Sequence, residues 1–91
     1  MPYIKKEDRH KVDEKILEIA RVINEVGEYN YVITRLLHAY IEKNGLRYKY
    51  LNDVVGILGC VSNEFYRMVV SGYEDCKIKT NGCVSEIDKN K

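Results

Sequence analysis

Six side chains in this sequence have types and spacings that suit molecular recognition: Tyr31, Arg35 and His38, and then Asn63, Tyr66 and Arg67. Tyr31, Arg35 and His38 follow at four and three residues, and Tyr66 and Arg67 lie three and four residues beyond Asn63, spacings that place side chains on one face of a helix. Glu42 continues the first group one turn beyond His38. The chemistry favoured is the binding of an anion. A guanidinium offers a planar fork of donors that matches phosphate bidentately, and a tyrosine ring stacks on a base or caps a hydroxyl. Arg47 and Lys49 would add positive potential nearby. The competing reading is a solvated helix surface, or an interface between copies, with its charges met by ion pairs.

Catalysis has less to work with. The sequence contains no Gly-rich phosphate loop, no Gly-x-Ser-x-Gly elbow and no His-Glu-x-x-His zinc helix. His10 and His38 have no second histidine at ligand spacing, so a metal site joining His38 to Cys60 is unsupported, and His38 is expected to pair with Glu42. Glu64 would need burial to act as an acid or base; an ion pair with Arg67 or Arg35 is expected instead. Adjacent Glu74 and Asp75 point in different directions on a helix and suit the first turn, where they oppose the dipole. The expectation is therefore a protein without catalytic residues, metal or cofactor. An unusual enzyme would have to use Glu64 and His38.

The elements that must position these residues are helical. A first helix is expected from about Asp13, as N-cap, to Val26, with Val12, Ile16, Ile19, Ile23 and Val26 as its buried stripe. A second should run from Asn30 to Asn44, with Ile33, Leu36, Leu37, Tyr40 and Ile41 inward. A long third should begin between Arg47 and Asn52 and reach Ser71. Its apolar stripe is Leu51, Val54, Val55, Leu58, Val61, Phe65 and Val69, and Gly56 and Gly59 lie on the opposite side. Two mid-helix glycines suggest close approach by another helix or a ligand. A short fourth helix is expected from Tyr73 to Thr80. Gly27, Gly45, Gly72 and Gly82 each look like a helix-ending cap. The fold class is thus all-α: a compact bundle of three main helices plus a short C-terminal helix. It is expected to form a single domain over residues 1–82, followed by a polar, frayed tail over 83–91.

The totals agree with that outline. Ninety-one residues make one small domain, for which oligomerisation is a natural source of added stability. Fifteen basic against fourteen acidic residues remove the simplest case for a general nucleic-acid binder. Eight tyrosines, one Phe and no Trp favour half-buried positions and contact surfaces. Cys60, Cys76 and Cys83 form no Cys-x-x-Cys motif; Cys60 is expected to pack, and no bond between Cys76 and Cys83 is expected. No stretch is long enough to span a bilayer and the start carries no apolar signal region, which suggests a cytoplasmic protein with reduced thiols.

Several segments together form a fingerprint: Met1-Pro2-Tyr3-Ile4-Lys5, Asn30-Tyr31-Val32-Ile33-Thr34 followed by Arg35-Leu36-Leu37, Glu64-Phe65-Tyr66-Arg67, Tyr73-Glu74-Asp75, Lys77-Ile78 and Asn81-Gly82. On these the chain resembles a small family of unknown function found in phage and bacterial genomes. The resemblance covers nearly the whole chain and implies no biochemical activity. Gly59, Ser62 and Asn63 stand where that pattern holds glutamate, lysine and leucine, and Cys76 and Cys83 stand where it holds an acidic residue. A phage setting brings accessory factors to mind that bind a host protein or sequester a host signal. Taken together, the expectation is a non-enzymatic, homo-oligomeric protein in the bacterial host cytoplasm that sequesters a small anionic ligand such as a nucleotide immune signal, an anti-defence role. Tyr31, Arg35, His38, Asn63, Tyr66 and Arg67 would form the ligand site. The alternative is a protein–protein interaction module acting on a host protein.

Overall fold

A computed structural model of the protein describes residues 4–85 and 87. Residues 1–3 of the fingerprint, and residues 86 and 88–91 of the expected tail, lie outside them. Among the described residues every regular element is helical and none is a strand, so the protein is all-α. A 3-10 turn, Lys6–Asp8, leads into α1 (His10–Val22) and α2 (Val26–Asn44). Then α3 (Tyr48–Phe65) passes through a π-helical turn, Tyr66–Val70, into α4 (Ser71–Asn81). The chain divides into two units, Met1–Ile57 and Leu58–Lys91.

In the first unit three helix boundaries differ from expectation. Asp13 is not an N-cap: its N–H donates to the Arg9 carbonyl at 2.8 Å, which starts α1 at His10 and leaves Asp13 in the first turn. At the other end α1 stops at Val22, where Ile23 turns extended, and α2 begins at Val26 rather than Asn30. The cause is a capping box. Glu28 Oε1 accepts the N–H groups of Asn24 and Glu25, each at 2.9 Å, while the Glu25 side chain accepts the N–H of Glu28. Gly27 is therefore the second residue of a helix and not a cap. Asn30 lies inside α2, where its carbonyl accepts the Thr34 hydroxyl at 2.8 Å.

The α2–α3 corner follows the glycine reading. Gly45 has φ +111° and donates its N–H to the Ile41 carbonyl at 2.7 Å, which ends α2 at Asn44. The Arg47 carbonyl then accepts from both Tyr50 and Leu51 at 3.0 Å, starting α3 at Tyr48, within the expected window. Tyr40 joins the two helices: its hydroxyl donates to Asp53 Oδ2 at 2.8 Å, and its ring meets that of Tyr50 edge-on at 6.2 Å.

In the second unit Gly72 does not end a helix. Val70 and Ser71 hold right-handed helical dihedrals, so α3, the π turn and α4 form one uninterrupted run of 34 residues, from Tyr48 to Asn81. The expected separate helix from Tyr73 to Thr80 is the last part of that run. It ends only at Gly82, where φ is +87° and the N–H reaches the Ile78 carbonyl at 2.7 Å.

The larger departure concerns burial. The apolar stripes were expected to face a core, yet no described residue is buried. Ile16, Leu36, Leu58, Val61 and Phe65 are exposed, while Ile23, Leu37, Tyr40, Ile41 and Val54 are half-covered. Cys60 is exposed too, not packed, and Cys76 and Cys83 are unbonded and exposed. Helical hydrogen bonding needs only the segment itself, whereas burial needs a second surface.

Two glycines with opposite roles test this assignment. Gly45→Ala forces a side chain onto positive φ and should destabilise the fold by about 1–3 kcal/mol. Gly27→Ala meets no atom within 4 Å in a helical turn and should stabilise it by about 0.5–1 kcal/mol. Chemical denaturation of the two variants would read both signs.

Candidate functional site

Arg35 and Tyr31 come together. They line one groove of about 390 Å³ on α2, with Val32, Leu36, Ala39 and Ile19 of α1 supplying apolar walls and Glu42 closing the far end. One helical turn separates Tyr31 from Arg35, so the two residues share one face of α2. Arg35 Nη1 lies 3.5 Å from Glu42 Oε1, and both side chains are mostly exposed. A pair so long and so wet holds its partners weakly and is open to exchange. Glu42 thus turns to Arg35, two turns back, and not to His38 as expected. His38 lines a separate groove of about 360 Å³ between α2 and α3, together with Leu37, Ile41, Glu42, Leu46, Leu51 and Val54.

Asn63, Tyr66 and Arg67 lie in the second unit, and the structure engages them differently. Arg67 Nη2 is 2.6 Å from Glu64 Oε1, one turn earlier, so of the two partners expected for Glu64, Arg67 and Arg35, it is Arg67 that pairs with it. Glu64 is the more covered partner, with 22% of its side chain exposed against 66% for Arg67. The Tyr66 hydroxyl donates to Glu74 Oε1 at 2.7 Å. Tyr66 and Glu74 line a groove of about 440 Å³ with Lys77, Ile78, Asn81, Gly82 and Val84; Asn63 and Arg67 are not among its walls.

The Tyr66–Glu74 bond depends on the π turn. In a regular α-helix, residues eight apart are offset by roughly 80° around the axis. A π turn contains an extra residue, so eight positions cover about what seven do and the two side chains share a face. Sequence reasoning missed Glu74 as a partner because nothing in the residue types announces a π turn. Glu42 as the partner of Arg35 was legible in its seven-residue spacing, but the nearer His38 drew it away.

The hydrogen bond to the Glu74 carboxylate holds the Tyr66 phenol above the usual tyrosine range, with the negative charge adding to it. Asp53 does the same to Tyr40. Glu28 moves the other way: the two backbone N–H groups of its capping box favour the carboxylate and lower its pKa.

Gly56 and Gly59 were expected to mark a close approach, yet no side chain or distant backbone of this chain comes within 4 Å of where their Cβ atoms would be. Among the described residues no group of three or more His, Cys, Asp or Glu side chains could hold a metal ion. No helix among them is long and apolar enough to cross a membrane.

The phenol bonds have a pH signature. A raised folded-state pKa contributes stability that is complete below the ordinary tyrosine value and is lost as pH rises through the raised one. Spectrophotometric titration should therefore show two phenols ionising late. Glu74→Gln should return one of them to the ordinary range and Asp53→Asn the other; unchanged curves would mean that neither bond persists in solution. The Glu28 contribution has the opposite sign. It is present above the ordinary carboxylate range and is lost as pH falls through the lowered value, so helicity should decline there in the wild type and not in Glu28→Gln.

A family model described as a domain of unknown function, DUF6899, matches residues 1–84. No curated protein and no solved structure matches the chain. The resemblance read from the fingerprint was to a family of unknown function, and with 84 consecutive residues matched, the chain belongs to the DUF6899 family.

Proposed function

We propose that the protein is a non-enzymatic helical binding protein that associates with itself and sequesters a small anionic ligand, a nucleotide above all, on the exposed face of α2. The observation that carries this reading is the pairing of Tyr31 with Arg35 in one largely apolar groove. Among the described residues the Arg35 guanidinium is engaged by Glu42 through a 3.5 Å, solvent-exposed ion pair. A phosphate can take the place of the Glu42 carboxylate as a bidentate partner, while the Tyr31 ring and the aliphatic walls cover a base or ribose. His38 lines the separate α2–α3 groove and is not part of this contact. In the second unit Arg67, with Asn63 and Tyr66, is a candidate contact of its own, and there the 2.6 Å bond to Glu64 must open first, so its affinity for an anion is lower.

In this reading the helices pack into a compact bundle, one domain over residues 1–82, in the assembled state, with α4 as the continuation of α3. The protein then acts in the cytoplasm of a bacterial host as a phage-associated, anti-defence trap for a nucleotide immune signal. It needs neither cofactor nor metal. The phage setting rests on the fingerprint resemblance.

Native mass spectrometry of protein purified gently from cells making such a signal is the direct test. The expected result is an oligomer with added mass that is released chemically intact on denaturation. Arg35→Ala should weaken binding of the recovered nucleotide by about 10–100-fold, the value of a charge-assisted hydrogen bond, with helicity unchanged. Arg67→Ala should weaken it less. Unchanged affinity in a folded double variant overturns the reading.

The exposed apolar stripes also favour a second reading, a module that docks on a host protein. In that case a pull-down recovers one stoichiometric partner and no small molecule.

A further inference from the structure

Within α3, Leu51, Val54, Leu58, Val61 and Phe65 follow one another at intervals of three, four, three and four residues. That alternation is the a/d pattern of a coiled-coil seam, over two heptads and the opening of a third. It is apolar at every position. Leu51, Leu58, Val61 and Phe65 keep 42%, 46%, 52% and 59% of their surface exposed, and Val54 is half-covered. Val55 and Ile57, at the flanking e and g positions of the first heptad, are exposed as well and widen the seam. The π turn that starts at Tyr66 breaks the α-helical register, so the seam ends at Phe65.

We propose that this seam is where α3 associates with α3 of a second copy of the chain, and that folding is coupled to that association. The inference deepens the self-association in the function proposed above by naming its face, and it does not depend on the ligand.

Three observations identify the occupant as a second copy. First, the area reaches what a specific interface needs. The seven side chains expose on the order of 600 Å² per helix, Leu51 and Val54 at the edge of the groove against α2 included, so two copies can remove up to about 1,200 Å² from water, against the roughly 1,000 Å² that a specific interface should clear. Second, the seam is compatible with its own image. No a or d position is charged, and the net charge of +1 leaves little repulsion between copies. Third, no described residue is buried, so a chain waiting for a different protein would have no core of its own, whereas its own copy is always present in equal amount. Asn63 and the glycines Gly56 and Gly59 fall at b and f positions, on the far side of the helix from the seam.

The test is sedimentation equilibrium and thermal unfolding of the full chain over a wide range of protein concentration, for wild type, Leu58→Glu and Asn63→Glu. Wild type should sediment as an oligomer whose unfolding midpoint rises with concentration. Leu58→Glu places an unpaired charge in the seam and should weaken association by at least about 100-fold. Asn63→Glu, outside the seam, should behave as wild type. A wild-type monomer with a concentration-independent midpoint overturns the proposal, as does an oligomer that Leu58→Glu leaves intact. The wild-type concentration dependence decides the matter even if Leu58→Glu fails to fold. An oligomer that binds no nucleotide would overturn the ligand reading and leave the seam standing; a nucleotide-binding monomer would do the reverse.

Discussion

An α-helix closes its backbone hydrogen bonds inside its own segment, but it can hide an apolar stripe only against another surface, and that asymmetry governs this protein. The local conditions for helix are met along most of the chain, and the stripes follow from the sequence. Covering them is a separate step. A half-exposed Leu or Phe still has on the order of 1 kcal/mol to gain from full burial, and nearly every large apolar side chain described is in that position. Isolated helices of this length are marginal in water because propagation barely outweighs the cost of nucleation. A chain with these stripes therefore draws most of its stability from whatever covers them.

The polar contacts that are present set direction more than they supply stability. The capping box of Glu25 and Glu28 fixes where α2 begins and turns the chain at Ile23. Tyr40 and Asp53 hold α2 beside the start of α3, and Tyr66 and Glu74 join the two ends of the π turn. All are exposed, where water competes for every donor and acceptor and the net value of each bond is small. Their use is geometric: they determine which face each helix presents. On α2 that places a ring and a guanidinium over one apolar groove.

The same geometry separates two arginines that look alike in sequence. Arg35 meets a carboxylate two turns away at 3.5 Å, and Arg67 meets one a single turn away at 2.6 Å. A short contact to a half-covered carboxylate is harder for an incoming anion to displace than a long one between two wet side chains. The phosphate-binding role proposed for this protein accordingly falls first on Arg35.

The sequence by itself determined the helical class and the ending of α2 at Gly45 and of the last helix at Gly82, bounded the start of α3 to a window, and offered Arg67 as one of two partners for Glu64, because each depends largely on residues within about one helical turn. It also placed Tyr31 and Arg35 on one helix face through their four-residue spacing, and both line one groove in the structure. Only the structure decided that Gly27 and Gly72 lie inside helices, since a glycine permits a left-handed cap without demanding one and the neighbouring capping box and π turn settled the matter. It likewise decided that Glu42 serves Arg35, that Glu74 serves Tyr66 and that the stripes stay exposed. A periodic stripe records which side of a helix seeks cover; whether cover comes from the same chain depends on contacts between distant segments, which no local pattern encodes.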